Sequence, residues 1–477
     1  MDKYFLGLDI GTQGARIVLV DQKGYLIASD ARKFQLTDTF REEQSPLTWW
    51  KEAEDMLSSL LINLPDKINK RDIQAISVTS TSGTVIPLDV NHQPIHQAIM
   101  YSDPRSIEQG KRCKDIAQKY VKNGYTGFNA SSGISKILWY IETFPEKIAE
   151  IALWIHASDY LIGKLCGNYH TTDYTNVLKS AYDLEKLEWP DYITRELGIQ
   201  VKWLQNVVPS GTVVGRLLSE HSESWGIPEI EVVVGMTDGC ATQMASGAVK
   251  PGDWNTTIGT TLVIKGVTET NVLDPLGRVY SHKHPEGYWM PGGASNTGAD
   301  WISINFPESL EKLNYAAESL IPTGELAWPL VQEGERYPIM TPQARGFAPN
   351  DISNEKLFAA NLEGVAFIER LAYEIIEELS GEKIRRVFSA GGGSRSDVWL
   401  KIRAAVLKVP IYKCKEANGA FGAAIMAAST TYYNSIFEAS ENMTSIEKKV
   451  IPDPGLMLSY EEQYQEFKMK LKDLNYI

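Results

Sequence analysis

The residues of this chain with the clearest chemistry lie in one short stretch near its start. Residues 6–20, LGLDIGTQGARIVLV, place apolar runs on both sides of a glycine turn, which predicts strand, turn and strand. The N–H groups of a turn that starts at Gly11 can point at an anion, and Thr12 and Gln13 add side-chain donors. Asp9 precedes this turn, and a carboxylate beside a phosphate-sized hole favours a bridging cation such as Mg²⁺. The alternative is an ordinary hairpin whose glycines only satisfy its geometry.

A second copy of this pattern favours the phosphate-binding interpretation. Residues 254–267, WNTTIGTTLVIKGV, run from a polar strand through an Ile-Gly-Thr turn into a β-branched strand. The turn residues Gly259, Thr260 and Thr261 correspond to Gly11 and its successors. One such hairpin in each half of the chain predicts two related domains that face each other across a nucleotide.

A second carboxylate in a chemically useful position is Asp238. The run EVVVG at 231–235 is typical of a buried strand, and the small residues at 241–247 predict a close-packed helix. Asp238 is therefore expected where a strand ends and a helix begins, which is the usual ligand position in α/β sheets.

Small hydroxyl residues form another turn after the strand predicted at 73–80. The sequence STSGT, which contains Ser82 and Gly83, offers short donors and acceptors and no charged side chain. Such a turn suits a neutral polyhydroxy ligand, whereas an acidic ligand would require an Arg or Lys there.

The segment YSDPR at 101–105 brings an aromatic ring, a carboxylate and a guanidinium together. Tyr101 and Asp103 are expected to face the hydroxyl turn, and Asp103 can accept hydrogen bonds from two adjacent ligand hydroxyls. The structural alternative is a pair of Asp103 and Arg105 that closes a loop.

Three consecutive glycines, Gly391, Gly392 and Gly393, follow a strand predicted at 387–390. They leave bare backbone against which a flat group such as adenine can lie. The spacing is not GxGxxG, so a dinucleotide fold is disfavoured. A loop that only starts a helix is the alternative.

Length and composition set the class of protein. At 477 residues the chain exceeds the size of one growing core, and the KPG sequence at 250–252 predicts domains at 1–249 and 250–477. A net charge of −13 argues against binding along nucleic acid. The four cysteines lack paired or zinc-type spacing, and no leader or membrane-spanning segment is visible. We therefore expect a cytoplasmic protein with no nucleic-acid or membrane partner.

Alternating strands and helices must position these residues, which indicates a mixed α/β fold. Besides the strands already named, we predict a strand at 24–34 and helices at 46–64, 135–144, 148–165 and 354–379. A last amphipathic helix is predicted to dock on the body of the protein through Tyr460, Tyr464, Phe467, Leu471 and Leu474. His282 and His284 would share one strand face, and without a nearby third ligand we expect a structural or surface role for both.

Taken in order, these motifs resemble the FGGY carbohydrate kinases across nearly the whole chain. Nine segments carry the resemblance: DIGTQGAR (9–16), EEQ with P and WW (42–50), TSGT (81–84), YSDPR (101–105), KILWYIE (136–142), GMTDGCATQMASGA (235–248), GTTLVIK (259–265), NLEGVAF (361–367) and AGGGSRSDVW (390–399). The family implies a two-domain, duplicated actin-like ATPase fold of the ribonuclease-H-like type, with a central cleft for nucleotide and sugar.

The resemblance also implies roles for these residues in a phosphoryl transfer from ATP. Asp238 would be the general base for the sugar hydroxyl, and it would share Mg²⁺ with Asp9. The nucleotide-binding residues would be Gly11, Thr12, Gln13, Gly259, Thr260, Thr261, Gly391, Gly392, Gly393 and Trp399. The substrate-binding residues would be Ser82, Gly83, Tyr101, Asp103 and Asp238.

Within the family, the segments TSGT, YSDPR and 279–301 look most like kinases of ketopentoses. We rank D-ribulose first, as a substrate that yields D-ribulose 5-phosphate, and D-xylulose as the alternative. A nucleotide-dependent assembly or chaperone ATPase of the same fold is the alternative from another class. The expected partners are a sugar and ATP, and a homodimer is left open.

Overall fold

In the computed structural model, which describes residues 2–306 and 310–477, the N-terminal alternation forms the predicted hairpin. Strands β1 (Tyr4–Ile10) and β2 (Gly14–Asp21) pair antiparallel from Tyr4↔Asp21 to Ile10↔Ala15. Nearly all their apolar side chains are buried, which is typical of strands covered on both faces.

The chain divides into two compact units. The first comprises residues up to Ala245 with two later segments, His282–Gly287 and Glu416–Thr444. The second comprises Ser246–Ser281, Tyr288–Lys415 and Ser445–Ile477. The first boundary falls four residues before the division proposed from the KPG sequence, and the two later segments pack with the first unit rather than the second.

The strands and helices that follow β2 as far as the first boundary are β3 (Leu26–Lys33), β4 (Glu43–Gln44), α1 (Pro46–Ile62), β5 (Ile73–Ser80), β6 (Val85–Leu88), β7 (Ala98–Ile99), α2 (Ile107–Tyr120), α3 (Gly133–Thr143), β8 (Leu153–His156), α4 (Ala157–Cys166), β9 (Thr171–Asp173), α5 (Tyr174–Val177), α6 (Tyr192–Leu197), β10 (Asn206–Val208), β11 (Val213–Arg216), α7 (Ser219–Trp225), β12 (Glu231–Thr237) and α8 (Asp238–Ser246). The main sheet of the first unit has the order β11-β12-β5-β1-β2-β3.

The remaining elements are β13 (Asp253–Ile258), β14 (Leu262–Gly266), β15 (Tyr280–Lys283), β16 (Trp289–Ser295), α9 (Asp300–Asn305), α10 (Leu310–Leu320), α11 (Asn354–Ser380), β17 (Arg386–Ala390), α12 (Asp397–Leu407), β18 (Ile411–Cys414), α13 (Gly419–Thr431), α14 (Ile436–Met443), β19 (Ile446–Val450) and α15 (Pro454–Asp473). A seven-stranded sheet has the order β15-β16-β14-β13-β17-β18-β19, and α13 and α14 lie in the first unit.

The two main sheets repeat one plan, as the paired hairpins predict. In the first unit β1 pairs antiparallel with β2 and parallel with β5, and β12 lies beyond β5. In the second unit β13 pairs antiparallel with β14 and parallel with β17, and β18 lies beyond β17. The mixed α/β architecture and the duplication are therefore confirmed.

Several predicted elements form within one or two residues of their expected bounds. Ser45 caps α1 by accepting a hydrogen bond from Thr48 N, with proline at the first helical position. The helices predicted at 135–144 and 354–379 correspond to α3 and α11. On the C-terminal helix, Tyr460, Tyr464, Phe467 and Leu471 are buried, while Leu474 lies past its end and is exposed.

The prediction of a helix at 148–165 is wrong for its first half. Residues 145–150 form a 3₁₀ turn, and β8 then pairs antiparallel with β6, from Leu153↔Leu88 to His156↔Val85. Only the second half is helical, as α4. The short apolar run at 151–155 suits either structure, and pairing with a distant strand decided the outcome. None of the helices in the described ranges is long and apolar enough to cross a membrane.

Candidate active site

Three parallel strands of the first unit end at the same edge of its sheet. In the register of β1 and β5, Asp9 lies opposite Thr79 and Ile10 opposite Ser80. On the other side of β5, Thr237 at the end of β12 also lies opposite Ser80. Because Asp238 follows Thr237 as the first residue of α8, both predicted carboxylates and the start of the STSGT turn meet at this edge.

The two carboxylates are close enough to influence one another. Burial and, to a smaller extent, the charge of Asp238 raise the pKa of Asp9 to about 7, and the charge of Arg16 opposes the rise. The Oδ1 atom of Asp9 is buried and has no hydrogen-bond partner among the described residues. The Oδ1 atom of an ionised Asp9 would therefore gain from a cation placed between the two carboxylates.

The surroundings of Asp9 fit a hydrated divalent cation. Gly419 begins α13 beside this carboxylate, and a Cβ at that position would lie 2.6 Å from Asp9 Oδ2. The missing side chain keeps space open next to the orphaned oxygen. Among residues 2–306 and 310–477, no group of three or more His, Cys, Asp or Glu side chains could hold a metal. Water and substrate oxygens would therefore complete the coordination, as Mg²⁺ commonly requires.

The first glycine turn is closed by its own backbone and held by a glutamine. Gly11 N donates to Gly14 O at 2.9 Å, and Gln44 Nε2 donates to Thr12 O at 2.9 Å. Trp49 Nε1 donates to Gln44 Oε1, also at 2.9 Å, which fixes the orientation of the amide. Gln13 is exposed and Thr12 partly so, which leaves both side chains accessible to a ligand. The role of Gln44 was not foreseen, although it lies within the quoted EEQ motif.

The hydroxyl turn after β5 is tied to the following loop. Thr81 Oγ1 and Thr84 Oγ1 are 3.0 Å apart, and Tyr101 N donates to Thr84 Oγ1 at 3.1 Å. Gly83 adopts φ +87°, and a Cβ there would collide with a neighbouring carbonyl. The Ser82 hydroxyl is buried and has no hydrogen-bond partner within the described chain. A buried hydroxyl without a partner is available to a ligand hydroxyl.

Asp103 is bound to Arg105, as the structural alternative for YSDPR predicts. Arg105 Nε lies 3.0 Å from both carboxylate oxygens, and its Nη2 lies 2.7 Å from Oδ2. The same Nη2 donates to Glu43 Oε1 at 2.6 Å, and the guanidinium lies 4.4 Å from the centre of the Trp139 ring. Asp103 is only 1% exposed, so its contact with a sugar finds no support in this geometry and stays a prediction. Tyr101, in contrast, is 36% exposed.

In the second unit, the two glycine segments predicted to bind nucleotide lie next to each other. Gly259 N donates to Thr261 O at 3.0 Å, and Thr260 is exposed. Gly391 adopts φ +79° and packs so closely that a Cβ would lie 2.5 Å from the carbonyl oxygen of Ile258. The structure therefore brings the end of β13 and the triple-glycine turn together, with Gly391 and Gly392 exposed.

Trp399 lies beneath this turn rather than on an open surface. Its indole is 1% exposed, donates from Nε1 to Leu362 O at 3.0 Å, and packs against Trp301. A Cβ at Gly393 would lie 3.1 Å from the Trp399 ring, so the ring supports the glycine turn from the core. Direct contact with adenosine remains a prediction for all these residues. The exposed Gly391 and Gly392 are accessible to a ligand, whereas the buried Trp399 is not.

A cation that sequence reasoning missed lies beside the hydroxyl turn. The Cδ atom of Lys179 would be 3.5 Å from a Cβ at Gly83. Burial lowers the pKa of Lys136 to about 8, and the charges of Arg105 and Lys179 add to that lowering. Lys179 forms no ion pair among the described residues. Lys179 lies far from the STSGT turn in the sequence, so no local sequence pattern indicates that the two are close in the fold.

Comparisons with known proteins agree with the duplicated architecture. Residues 4–245 match the N-terminal domain of the FGGY family of carbohydrate kinases, and residues 254–431 match its C-terminal domain. The chain is 27% identical over 501 residues to a xylulose kinase of Bacillus subtilis, covering 99% of this chain and 98% of that protein. It is 28% identical over 436 residues to a gluconokinase of Bacillus licheniformis, covering 86% and 83%. The solved xylulose kinase of Rhodospirillum rubrum superimposes with a TM-score of 0.86 at 24% identity, covering 99% of each chain. The chain therefore belongs to the FGGY family of carbohydrate kinases, which makes it an ATP-dependent sugar kinase.

Proposed function

We propose that this protein phosphorylates D-xylulose on its terminal hydroxyl, with ATP as the phosphoryl donor, to give D-xylulose 5-phosphate. The observation that carries the proposal is the similarity to the Bacillus subtilis xylulose kinase along 99% of the chain. This reverses the order expected from the sequence, in which D-ribulose stood first. The two sugars differ in the configuration of one hydroxyl, so a turn of small hydroxyl residues separates them poorly.

Asp238 is the proposed general base. It begins α8 at the sheet edge, next to the strand end that leads into the turn of Ser82. The pKa of a sugar hydroxyl is far above that of a carboxylate, so the proton moves to Asp238 late, as the bond to phosphorus forms. The buried Ser82 hydroxyl, which lacks a protein partner, is the proposed contact for a hydroxyl on the sugar chain.

Asp9 and Asp238 would hold Mg²⁺, which when bound neutralises charge on the phosphate oxygens. The proposed phosphate donors are the turn of Gly11, Thr12 and Gln13 and, in the second unit, the turn of Gly259, Thr260 and Thr261. The proposed support for the adenine ring is the backbone of Gly391 to Gly393. Both turns expose their threonine or glutamine side chains at least in part, as donors to a ligand must.

A coupled assay of ADP release tests the substrate. The purified protein is compared on D-xylulose, D-ribulose, gluconate and glycerol, with Mg²⁺ and ATP held constant. We expect the highest kcat/KM on D-xylulose. A preference of tenfold or more for any of the other three compounds overturns the proposed substrate, and such a preference for D-ribulose would restore D-ribulose as the first candidate.

Gluconate is a second candidate, and Lys179 is the observation that favours it. The Cδ atom of Lys179 lies near Gly83, and its ammonium group, which forms no ion pair among the described residues, is the proposed partner for a ligand carboxylate there. Gluconokinases are also among the relatives, at 28% identity for that of Bacillus licheniformis. The STSGT turn has no charged side chain of its own, so Lys179 is the proposed cation for the recognition of an acid.

A further inference from the structure

Behind the sheet edge lies a buried group of polar side chains that the proposed chemistry does not use. It consists of Asp173, Thr175, Asn176, Ser158 and Ser210, which we call the Asp173 cluster. Each of the five is at most 3% exposed. Asp173 forms no ion pair among the described residues, and burial raises its pKa.

Five hydrogen bonds stabilise the carboxylate of Asp173 in place of an ion pair. Its Oδ2 accepts from Thr175 N and Thr175 Oγ1 at 2.7 Å each and from Ser210 Oγ at 2.6 Å. Its Oδ1 accepts from Asn176 Nδ2 at 2.7 Å and from Asn176 N at 3.2 Å. Capping of α5, which has only four residues, does not require a buried carboxylate. Three of the five bonds come from side chains and take no part in the cap.

One branch of the cluster ends at the residue before Asp238. Thr175 Oγ1 donates its hydrogen to Asp173, which leaves a lone pair to accept from Thr237 N at 2.8 Å. The pairing of β12 with β5 shifts register between Val234 and Thr237, so this backbone departs from a regular ladder. On the neighbouring residue, Thr79 Oγ1 donates to Met236 O at 2.6 Å. Two threonine hydroxyls thus hold the irregular strand end from which α8 and Asp238 start.

The other branch ends just before the hydroxyl turn. Asn176 Nδ2 donates to Ser158 Oγ at 3.1 Å, and Ser158 N donates to Ser80 Oγ at 2.8 Å. Ser80 is the last residue of β5 and precedes Ser82 by two positions. A single buried carboxylate is therefore linked to both segments of the proposed sugar site, on one branch by Thr175 and on the other by Asn176 and Ser158.

We infer that the Asp173 cluster sets the position of Asp238 relative to the STSGT turn, and that Thr175 and Asn176 are positioning residues for phosphoryl transfer. This inference rests on the proposed function, since it assigns the base and the sugar turn to those two segments. The carboxylate of Asp173 fixes the direction of the Thr175 hydroxyl and of the Asn176 amide, so the two branches are held in one arrangement. Displacement of a catalytic group by about 1 Å is enough to lower turnover about a hundredfold.

The test compares Thr175→Val, which removes the hydroxyl at nearly constant volume, with Thr175→Ser, which keeps it. Thr268→Val is the matched control, because Thr268 is also buried and its hydroxyl donates to a backbone carbonyl, Thr270 O, in the second unit. We expect Thr175→Val to lower kcat tenfold or more with the KM for ATP within twofold of wild type. Thr175→Ser and Thr268→Val should stay within threefold of wild type in kcat.

A variant of the second branch separates positioning from general loss of stability. Ser80→Ala removes the acceptor for Ser158 N, and we expect it to raise the KM for sugar threefold or more with a smaller change in kcat. Far-UV circular dichroism melts confirm that each variant is folded at the assay temperature. If Thr175→Val does not fold, Ser80→Ala decides the matter by whether the KM for sugar rises threefold or more with a smaller change in kcat.

Three results overturn the inference: a folded Thr175→Val with kcat within threefold of wild type, a Thr175→Ser as impaired as Thr175→Val, or a Ser80→Ala with an unchanged KM for sugar. All variants are compared on the sugar that the wild type uses best. A wild type that prefers another polyol therefore overturns only the proposed substrate, and a wild type inactive on every sugar overturns both proposals.

Discussion

The two glycine hairpins share one geometry but carry different chemistry at equivalent positions. Asp9 stands two residues before Gly11, and Thr257 stands two residues before Gly259. The Thr257 hydroxyl donates to Asn255 Oδ1 at 3.0 Å, so this side chain is neutral and satisfied within its own strand. Asp9 instead keeps a buried oxygen without a hydrogen-bond partner among the described residues, beside a second carboxylate.

The neighbouring strand ends differ in the same way. In the first unit β5 leads into the hydroxyl turn that contains Ser82, whereas in the second unit the equivalent β17 leads into three glycines starting at Gly391. Beyond them, β12 leads to Asp238 and β18 ends at Cys414. Duplication thus gave each unit a glycine turn, while the carboxylates proposed to hold a metal and to act as the base, Asp9 and Asp238, lie in the first unit.

The largest expected effect is that of replacing Asp238, the proposed general base in the first unit. Asp238→Asn should lower kcat roughly 10²–10⁴-fold, because general-base catalysis typically contributes that much. The affinity for ATP, measured by titration calorimetry, should change little. Asp397→Asn, which alters an exposed carboxylate paired with Lys448 in the second unit, is the control. A variant at 238 that keeps more than half of wild-type turnover would show that Asp238 is not the base.

Substitutions at equivalent positions of the two hairpins test directly whether the hairpins differ in chemistry. Asp9→Asn should raise the Mg²⁺ concentration needed for half-maximal activity by about tenfold or more, because the cation loses an anionic ligand. Thr257→Val, at the matching position, should leave the Mg²⁺ titration within threefold of wild type. Equal responses of the two variants would mean that the hairpins are chemically equivalent and that Asp9 does not anchor the metal.

Asp9 should also make the stability of the metal-free protein depend on pH. Its pKa is about 7 in the folded protein against 3.8 for an ordinary Asp, so between these values the folded state retains a proton that the unfolded state releases. The retained proton stabilises the folded state fully below about pH 4. This stabilisation is lost as the pH rises through about 7 and is absent at higher pH. In EDTA at pH 8, Asp9→Asn should therefore raise the free energy of unfolding by on the order of 2 kcal/mol, allowing for partial exposure.

Urea unfolding at pH 4 and pH 8 checks this prediction. The difference in the free energy of unfolding between Asp9→Asn and wild type should shrink toward zero at pH 4, because the side chain at position 9 is then neutral in both folded proteins. The same gap at both values, or a wild type that is the more stable protein at pH 8 without metal, would contradict the raised pKa.

The smallest expected effect concerns Lys179, the cation beside the STSGT turn, which distinguishes this turn from the triple-glycine turn of the second unit. Lys179→Met keeps much of the apolar stem and removes the charge. For a ketose kinase we expect kcat/KM on D-xylulose to remain within about threefold of wild type. A large loss confined to gluconate, measured with both sugars in the same ADP-release assay, would instead favour the aldonate candidate.

Local sequence signals predicted much of the fold. The hairpins, the capped helix α1 and the long helix α11 depend on turn chemistry, caps and periodicity, which are properties of neighbouring residues. The helix predicted at 148–165 shows where such signals fail. Its first half became β8 because β6, more than sixty residues earlier, offered a pairing edge and a buried position.

The candidate site divides along the same line. Asp9, Asp238 and the glycine turns could be found because each stands at a junction between elements that the sequence marks. Lys179, Gln44 and the Asp173 cluster could not, since their significance depends on contacts between segments far apart in the chain. A run of polar residues such as TTDYTN gives no sign by itself that it is buried.

The sequence by itself determined the family, the duplicated α/β plan and the strand-end positions of both carboxylates, because motif order and short-range periodicity are written along the chain. Only the tertiary structure decided which polar groups are satisfied. It closed Asp103 onto Arg105, left the Ser82 hydroxyl and Asp9 Oδ1 buried without hydrogen-bond partners among the described residues, and placed Lys179 beside Gly83. The physical reason is that satisfaction of a buried polar group depends on the atoms within about 3 Å, and these come from elements that only folding brings together.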